Sequence, residues 1–205
     1  MGIKAVEQAD DAGHKALKSR PVRADAQRNL DALLAAALAV FATSGVDAPV
    51  REIAERAGVG IGTMYRHFPQ RADLVAAVFR SEIDACADAA PILAAEHLPG
   101  EALAKWIERY AAFIATKRGL ASALHSGNPV FETLPAYFQQ RLQPALQKLL
   151  QSAEAAGEVR ADVDADDLLA AVASLCTSAY SDGPDYARRM VALLIDGLRF
   201  SASRS

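Results

Sequence analysis

The chain has 205 residues, 52% hydrophobic and 23% charged, and a formal net charge of −3. That length accommodates one small and one larger domain, each burying its own core. No apolar run is long enough to cross a bilayer, and no secretory signal opens the chain. Two cysteines, Cys86 and Cys176, are too few for a disulfide scaffold and sit in apolar helical surroundings, where burial is the expected fate. A soluble, cytoplasmic protein is expected, with no membrane partner.

Abundant alanine favours helix. No β-branched alternating run competes, so the expected fold class is all-α. Charge is distributed unevenly. From Lys15 to Arg80 ten basic residues face six acidic ones, a balance of +4; from Ser81 to Ser205 eleven face sixteen, a balance of −5. A basic front end can bind a polyanion locally even on an acidic body.

Residues 1–23 are polar and aperiodic, with Lys15, Lys18, Arg20 and Arg23 around Pro21. They read as a flexible basic N-terminal arm that lends affinity by neutralising phosphates. The first helix is expected from about Ala24 to Ser44, with Leu30, Leu33, Leu34, Ala37, Leu38 and Phe41 on its apolar face and Gly45 ending it.

The run from Val50 to Phe68 is the most informative in the chain. Ile53, Ala54 and Ala57 make the apolar stripe of a short helix after Pro49, and Gly58 supplies the positive φ that ends it. Val59 fills the angle, Gly60 caps a second helix, and Ile61, Met64 and Phe68 are expected to form its buried stripe. Gly62, Thr63, Arg66 and His67 are then left outward, with Tyr65 at the edge. A helix bearing short, polar and cationic side chains on one face suits the DNA major groove.

With Ile53, Ala54, Ala57, Gly58, Val59, Gly62, Thr63, Tyr65, His67 and Phe68 in this spacing, followed by Arg71, Asp73 and Leu74, the segment from Gln27 to Phe79 resembles the DNA-binding domain of the TetR family of transcriptional regulators. The resemblance implies a three-helix helix-turn-helix domain over 24–79 and a helical ligand-binding and dimerisation domain over 80–205. It implies that Gly62, Thr63 and Arg66 approach bases or the sugar–phosphate edge, while Tyr65, His67 and Arg71 hold phosphates. Arg51, on the first motif helix, completes the expected DNA-binding set. Phe68 corresponds to the family's core plug. The chain departs from the family pattern at Gly60, where serine is common, at Ile61, where a basic residue or proline is common, and at Ala48–Pro49, which replace a threonine-type cap.

A fourth helix is expected from Arg71 to about Ala90, closed by Pro91. Beyond Leu98–Pro99–Gly100 the helices read as Glu101–Arg118, a short Leu120–His125 piece, Phe131–Ala156, Ala165–Tyr180 and Pro184–Ser201. Trp106, Tyr110 and Phe113 recur at helical spacing, and most such aromatics pack in a core. They are also, with His125, Tyr137 and Phe138, the candidates for a ligand cavity, in which Tyr110, His125 and Tyr137 would be the polar handles. Leu168, Val172 and Leu175, with Val191, Leu194 and Leu198, form two stripes. They either finish a core or, as the resemblance implies, meet their copies in a four-helix homodimer interface.

No phosphate loop, nucleophile elbow or metal-ligand spacing marks an enzyme, so no catalytic residue, metal or cofactor is expected. The Asp162–Asp167 cluster lacks the glycine and distal glutamate of a calcium loop and reads as the cap of the next helix. The expected function is a sequence-specific regulator, a repressor released from palindromic double-stranded operator DNA by a small-molecule effector. The alternative is a helical ligand-binding or interaction protein without specific DNA binding.

Overall fold

The structure, a computed structural model, describes the backbone of residues 7–117, 127–177 and 184–200 and the side chains of 25–115, 127–177 and 185–199. The described residues contain no strand. They form eight α-helices: α1 Glu7–Ser44, α2 Val50–Arg56, α3 Ile61–His67, α4 Arg71–Glu96, α5 Pro99–Lys117, α6 Leu134–Ala155, α7 Ala165–Thr177 and α8 Pro184–Phe200, with a 3-10 turn at Pro129–Phe131 before α6. The all-α fold read from the sequence is the fold observed.

The chain divides into two compact units, Met1–Leu74 and Val75–Ser205, so that α4 contributes its first turn to one and the remainder to the other. In the first unit α1 packs on α2 and α2 on α3. Leu33, Ala37, Val40 and Phe41 of α1, Ile53 and Ala54 of α2 and Met64 of α3 are all buried. Helix α1 ends as expected, with Gly45 at φ 78° and its N–H donated to the Phe41 carbonyl. Its start lies at Glu7 rather than near Ala24. The side chains of the expected basic arm lie outside the described residues.

In the second unit α5 is the central element and packs on α6, α7 and α8. It carries Trp106, Ile107, Tyr110 and Ile114, all buried. Phe79 belongs here too, its ring 5.5 Å from that of Phe113.

Two boundaries differ from the sequence expectation. Helix α4 does not close at Pro91 but continues to Glu96 with the proline inside it. A proline within a helix removes one N–H and costs about 3 kcal/mol or more. That cost is offset here by tertiary anchoring of the turn before the proline, and the helical bonds resume after it. The Cys86 carbonyl accepts the Trp106 indole N–H at 2.9 Å, Ala87 and Ala90 are buried, and the His97 N–H bonds the Leu93 carbonyl. Helix α6 likewise starts three residues later than Phe131, which ends the 3-10 turn capped by the Asn128 side chain. The expected Leu120–His125 helix lies outside the described residues, as do the last residues expected in α7.

The α2–α3 junction rests on one glycine. Gly58 has φ 69°, its N–H bonds the Glu55 carbonyl, and the Val59 N–H reaches back to Ala54 at 3.0 Å. This is the two-bond helix stop that needs a left-handed residue after the C-cap. A Cβ at Gly58 would touch nothing within 4 Å, so its cost is purely conformational. Gly58→Ala is therefore expected to destabilise the first unit by about 1–2 kcal/mol. Gly60→Ala, at φ −69° with equally open space, should not. Denaturant unfolding followed by circular dichroism checks both; equal losses would mean that the turn does not need its positive φ.

Candidate nucleic-acid interface

Helix α3 has seven residues, and its orientation is set by what it buries. Met64 is 1% exposed and Phe68, at the C-cap, is also in the core. With those two inward, Gly62 and Arg66 are exposed as the sequence predicts, Thr63 and His67 are half-buried, and Tyr65, expected at the edge, is exposed. Tyr65 is 53% exposed, a large aromatic side chain held in water directly after the buried Met64. A Cβ on Gly62 would meet nothing within 4 Å, so the backbone at that point is open to close approach.

Ile61 corrects the sequence reading. It shares the spacing of Met64 and Phe68 yet is 39% exposed. As the first residue of α3, after the extended Gly60, it has no preceding helical turn beside it.

Arg51 on α2 and Arg66 on α3 are exposed, and among the described residues neither forms an ion pair. Arg71 is half-buried, and its Nη1 donates to the Val46 carbonyl, tying the turn before α2 to the start of α4. A guanidinium has five N–H donors, so one backbone bond leaves others for a phosphate. The start of α4 is fixed from its own side as well: the Asp73 carboxylate accepts the Gln70 N–H at 2.9 Å.

The expected ligand residues occupy different places. Trp106, Tyr110 and Phe113 are core, at 0%, 1% and 6% exposure. Trp106 and Tyr110 stack at 5.7 Å, and Phe138 packs against both Tyr110 and Phe113. Tyr110 donates its hydroxyl to the Leu169 carbonyl at 3.2 Å, and burial raises its pKa. The polar handle of Tyr110 is therefore already used. Tyr137 is half-buried and donates to Asp84 at 2.7 Å; that hydrogen bond holds its hydroxyl above the usual pKa. Arg141 joins the same cluster, bridging Asp84 and Asp88. His125 lies outside the described residues.

Of the expected dimer residues, Leu168, Val172, Val191 and Leu198 are buried within the protomer, while Leu175 and Leu194 are half-buried. Leu193, which the sequence reading did not single out, is 64% exposed beside them. Asp164 caps α7 as read from the sequence, accepting the N–H groups of Asp166 and Asp167. Among the described residues no cluster of His, Cys, Asp or Glu could hold a metal ion, and no helix is long and apolar enough to cross a membrane. Cys86 and Cys176 are buried free thiols, and burial pushes Cys86 up to about 12. A groove between α4 and α6, lined by Ala87, Pro91, Ala94, Pro144 and Lys148 among others, was not anticipated from the sequence. The alanines on either side of Pro91 on α4 were its one visible sign.

Residues 33–78 match the family model described as bacterial regulatory proteins, tetR family, and residues 98–200 match that of the transcriptional regulator SbtR-like C-terminal domain. No curated protein matches the chain. Among solved structures, a TetR transcriptional regulator of Streptomyces coelicolor is 40% identical, with a TM-score of 0.72 over 82% of this chain and 97% of that one. A TetR regulatory protein of Mycobacterium vanbaalenii is 38% identical, with a TM-score of 0.67 over 87% and 99%. A γ-butyrolactone receptor described as ArpA-like shares the fold at 22% identity, with a TM-score of 0.57 over 87% and 93%. With both of its parts matched and relatives this similar over nearly their whole length, the chain belongs to the TetR family of bacterial transcriptional regulators, DNA-binding transcription factors that are not enzymes.

Proposed function

We propose that the protein is a cytoplasmic repressor that binds a near-palindromic operator as a homodimer and leaves it when a small molecule occupies the second unit. The observation that carries the DNA side is the outward face of α3. Tyr65 stands 53% exposed directly after the buried Met64, next to Arg66, which has no ion pair among the described residues. A helix anchored by Met64 and Phe68 offers Gly62, Thr63 and Arg66 to base edges, and Tyr65, His67 and Arg71 to phosphates. Arg51 adds a further phosphate contact from α2. The domain division that goes with this reading is a basic arm over 1–23, a DNA-binding domain over 24–79 and an effector and dimer domain over 80–205.

The dimer reading is supported by the outer surface of α7 and α8, where Ala171, Leu175, Leu193, Leu194 and Gly197 line an open apolar hollow of about 540 Å³. Leucines in water beside residues small enough for close helix approach suit a second copy of the same pair. Twofold symmetry would then set the two α3 helices about one DNA turn apart, roughly 34–36 Å. Release follows from linkage: an effector that favours a dimer with a different α3 spacing is itself bound less well by the DNA-bound form, with a coupling of about 1–3 kcal/mol.

Selection of bound fragments from random duplex DNA at near-physiological salt, run beside Tyr65→Ala, tests the reading. Wild type should enrich a palindrome. Tyr65→Ala should lose about 1.5–3 kcal/mol on every sequence alike, since it gives up a bond to a charged phosphate that carries no base information. Enrichment of nothing by a folded wild type would favour the interaction-protein alternative. Arg66→Ala should instead narrow the gap between operator and random DNA by about 1–3 kcal/mol in titrations on both. Equal loss on the two would make Arg66 a phosphate contact. Leu193→Glu should yield folded monomers in sedimentation, with operator affinity collapsing in step; an unchanged dimer would move the interface elsewhere.

A further inference from the structure

The groove between α4 and α6 has a geometry that can be read from sequence offsets. Arg80 Nη2 donates to Thr133 Oγ1, the Tyr137 hydroxyl to Asp84, and Arg141 Nη2 to Asp88, each at 2.7 Å and each between residues 53 apart. A constant offset means that the two helices run side by side in the same direction. Pro91 and Pro144 keep the same offset and so stand level with each other, both lining the groove. A proline has no N–H for the carbonyl four residues earlier. Those carbonyls belong to Ala87 and Gln140, again level with each other, and both residues line the groove.

The α4 wall is built from small residues. Ala87, Ala90, Ala94 and Ala95 leave the space that larger side chains would fill, and Leu149 of α6 lies buried at its base. The enclosed volume, about 560 Å³, falls in the range of small-molecule sites. Charge distinguishes the two ends. At one, Arg141 is held by Asp84 and Asp88, and Asp88 is the only acid in the lining. At the other, level with Ala95, Lys148 is exposed and among the described residues forms no ion pair.

We propose that this groove binds an amphipathic carboxylate with its head on Lys148, its apolar body along the alanines and prolines, and an O–H or N–H donor at the far end. That donor would meet the two carbonyls the prolines leave open. The span between the ends, eight residues of helix at about 1.5 Å each, is roughly 12 Å. The proposal rests on the effector reading above and names the site and ligand class that would serve it. Such a ligand lies directly on α4, the helix whose first turn carries Arg71.

The test uses the full chain and 10-hydroxydecanoate, whose length and two ends match the groove, with decylammonium as the opposite-charge control. Binding is followed by isothermal titration to wild type, Lys148→Glu and Ala94→Trp, with circular dichroism showing that each is folded. Ala94 is exposed, so a tryptophan there fills the groove without disturbing the core. The expected result is that the acid binds wild type at least tenfold more tightly than decylammonium, that Lys148→Glu loses tenfold or more, and that Ala94→Trp does not bind. No binding of the acid, equal binding of the amine, or indifference to both substitutions would overturn the proposal. Operator titrations separate the two readings. Groove-dependent binding that leaves operator affinity unchanged supports the site and refutes the effector role. Operator release by the acid that persists in both variants refutes the site and leaves the effector role standing.

Discussion

A helix of seven residues has no stability of its own in water, because nucleating it fixes more dihedrals than its few hydrogen bonds repay. Helix α3 therefore exists only because Met64 and Phe68 are buried as it packs on α2, which itself packs on α1. Full burial of one such side chain contributes about 1.5–3 kcal/mol, and two of them hold the helix in a single rotation about its axis. That one constraint decides which residues face water. Every DNA contact proposed for α3 follows from it, since rotating the helix by one residue would carry Tyr65 inward and Met64 out. The glycine stop at Gly58 works to the same end by fixing the angle at which α3 leaves α2.

In the second unit the corresponding constraint is polar. The bonds from Arg80, Tyr137 and Arg141 to Thr133, Asp84 and Asp88 clamp α4 to α6 along one edge. Exposed ion pairs of this kind are individually weak, and the network matters more for register than for stability. Register is what places Pro91 opposite Pro144 and keeps the alanine wall facing a cavity rather than a neighbouring side chain. On its other side α4 is tied by the Trp106 indole to the Cys86 carbonyl, so an internal proline need not end the helix.

Most of the architecture was legible in the chain because helical periodicity is a local property. Leu33, Ala37 and Phe41 on α1, Ile53 and Ala54 on α2, and Asp164 at the head of α7 lie where their spacing puts them. The misreadings share a cause. Ile61 has the period of a core residue but sits at a helix start, where it stays 39% exposed. Pro91 is a local helix breaker overruled by distant contacts. Trp106, Tyr110 and Phe113 are compatible with either a core or a cavity wall, and only their neighbours decide; here Cys86, Leu169 and Phe138 make them core.

The sequence by itself determined the helical fold, the helix-turn-helix and the outward set of α3, because each follows from side chains within a few turns of one another. Tertiary structure alone decided which aromatics are core, which leucines remain in water, and that α4 and α6 run parallel with their prolines level. Those features depend on pairing residues from 20 to 59 positions apart, and periodicity along one helix carries no information about which helix will lie beside it.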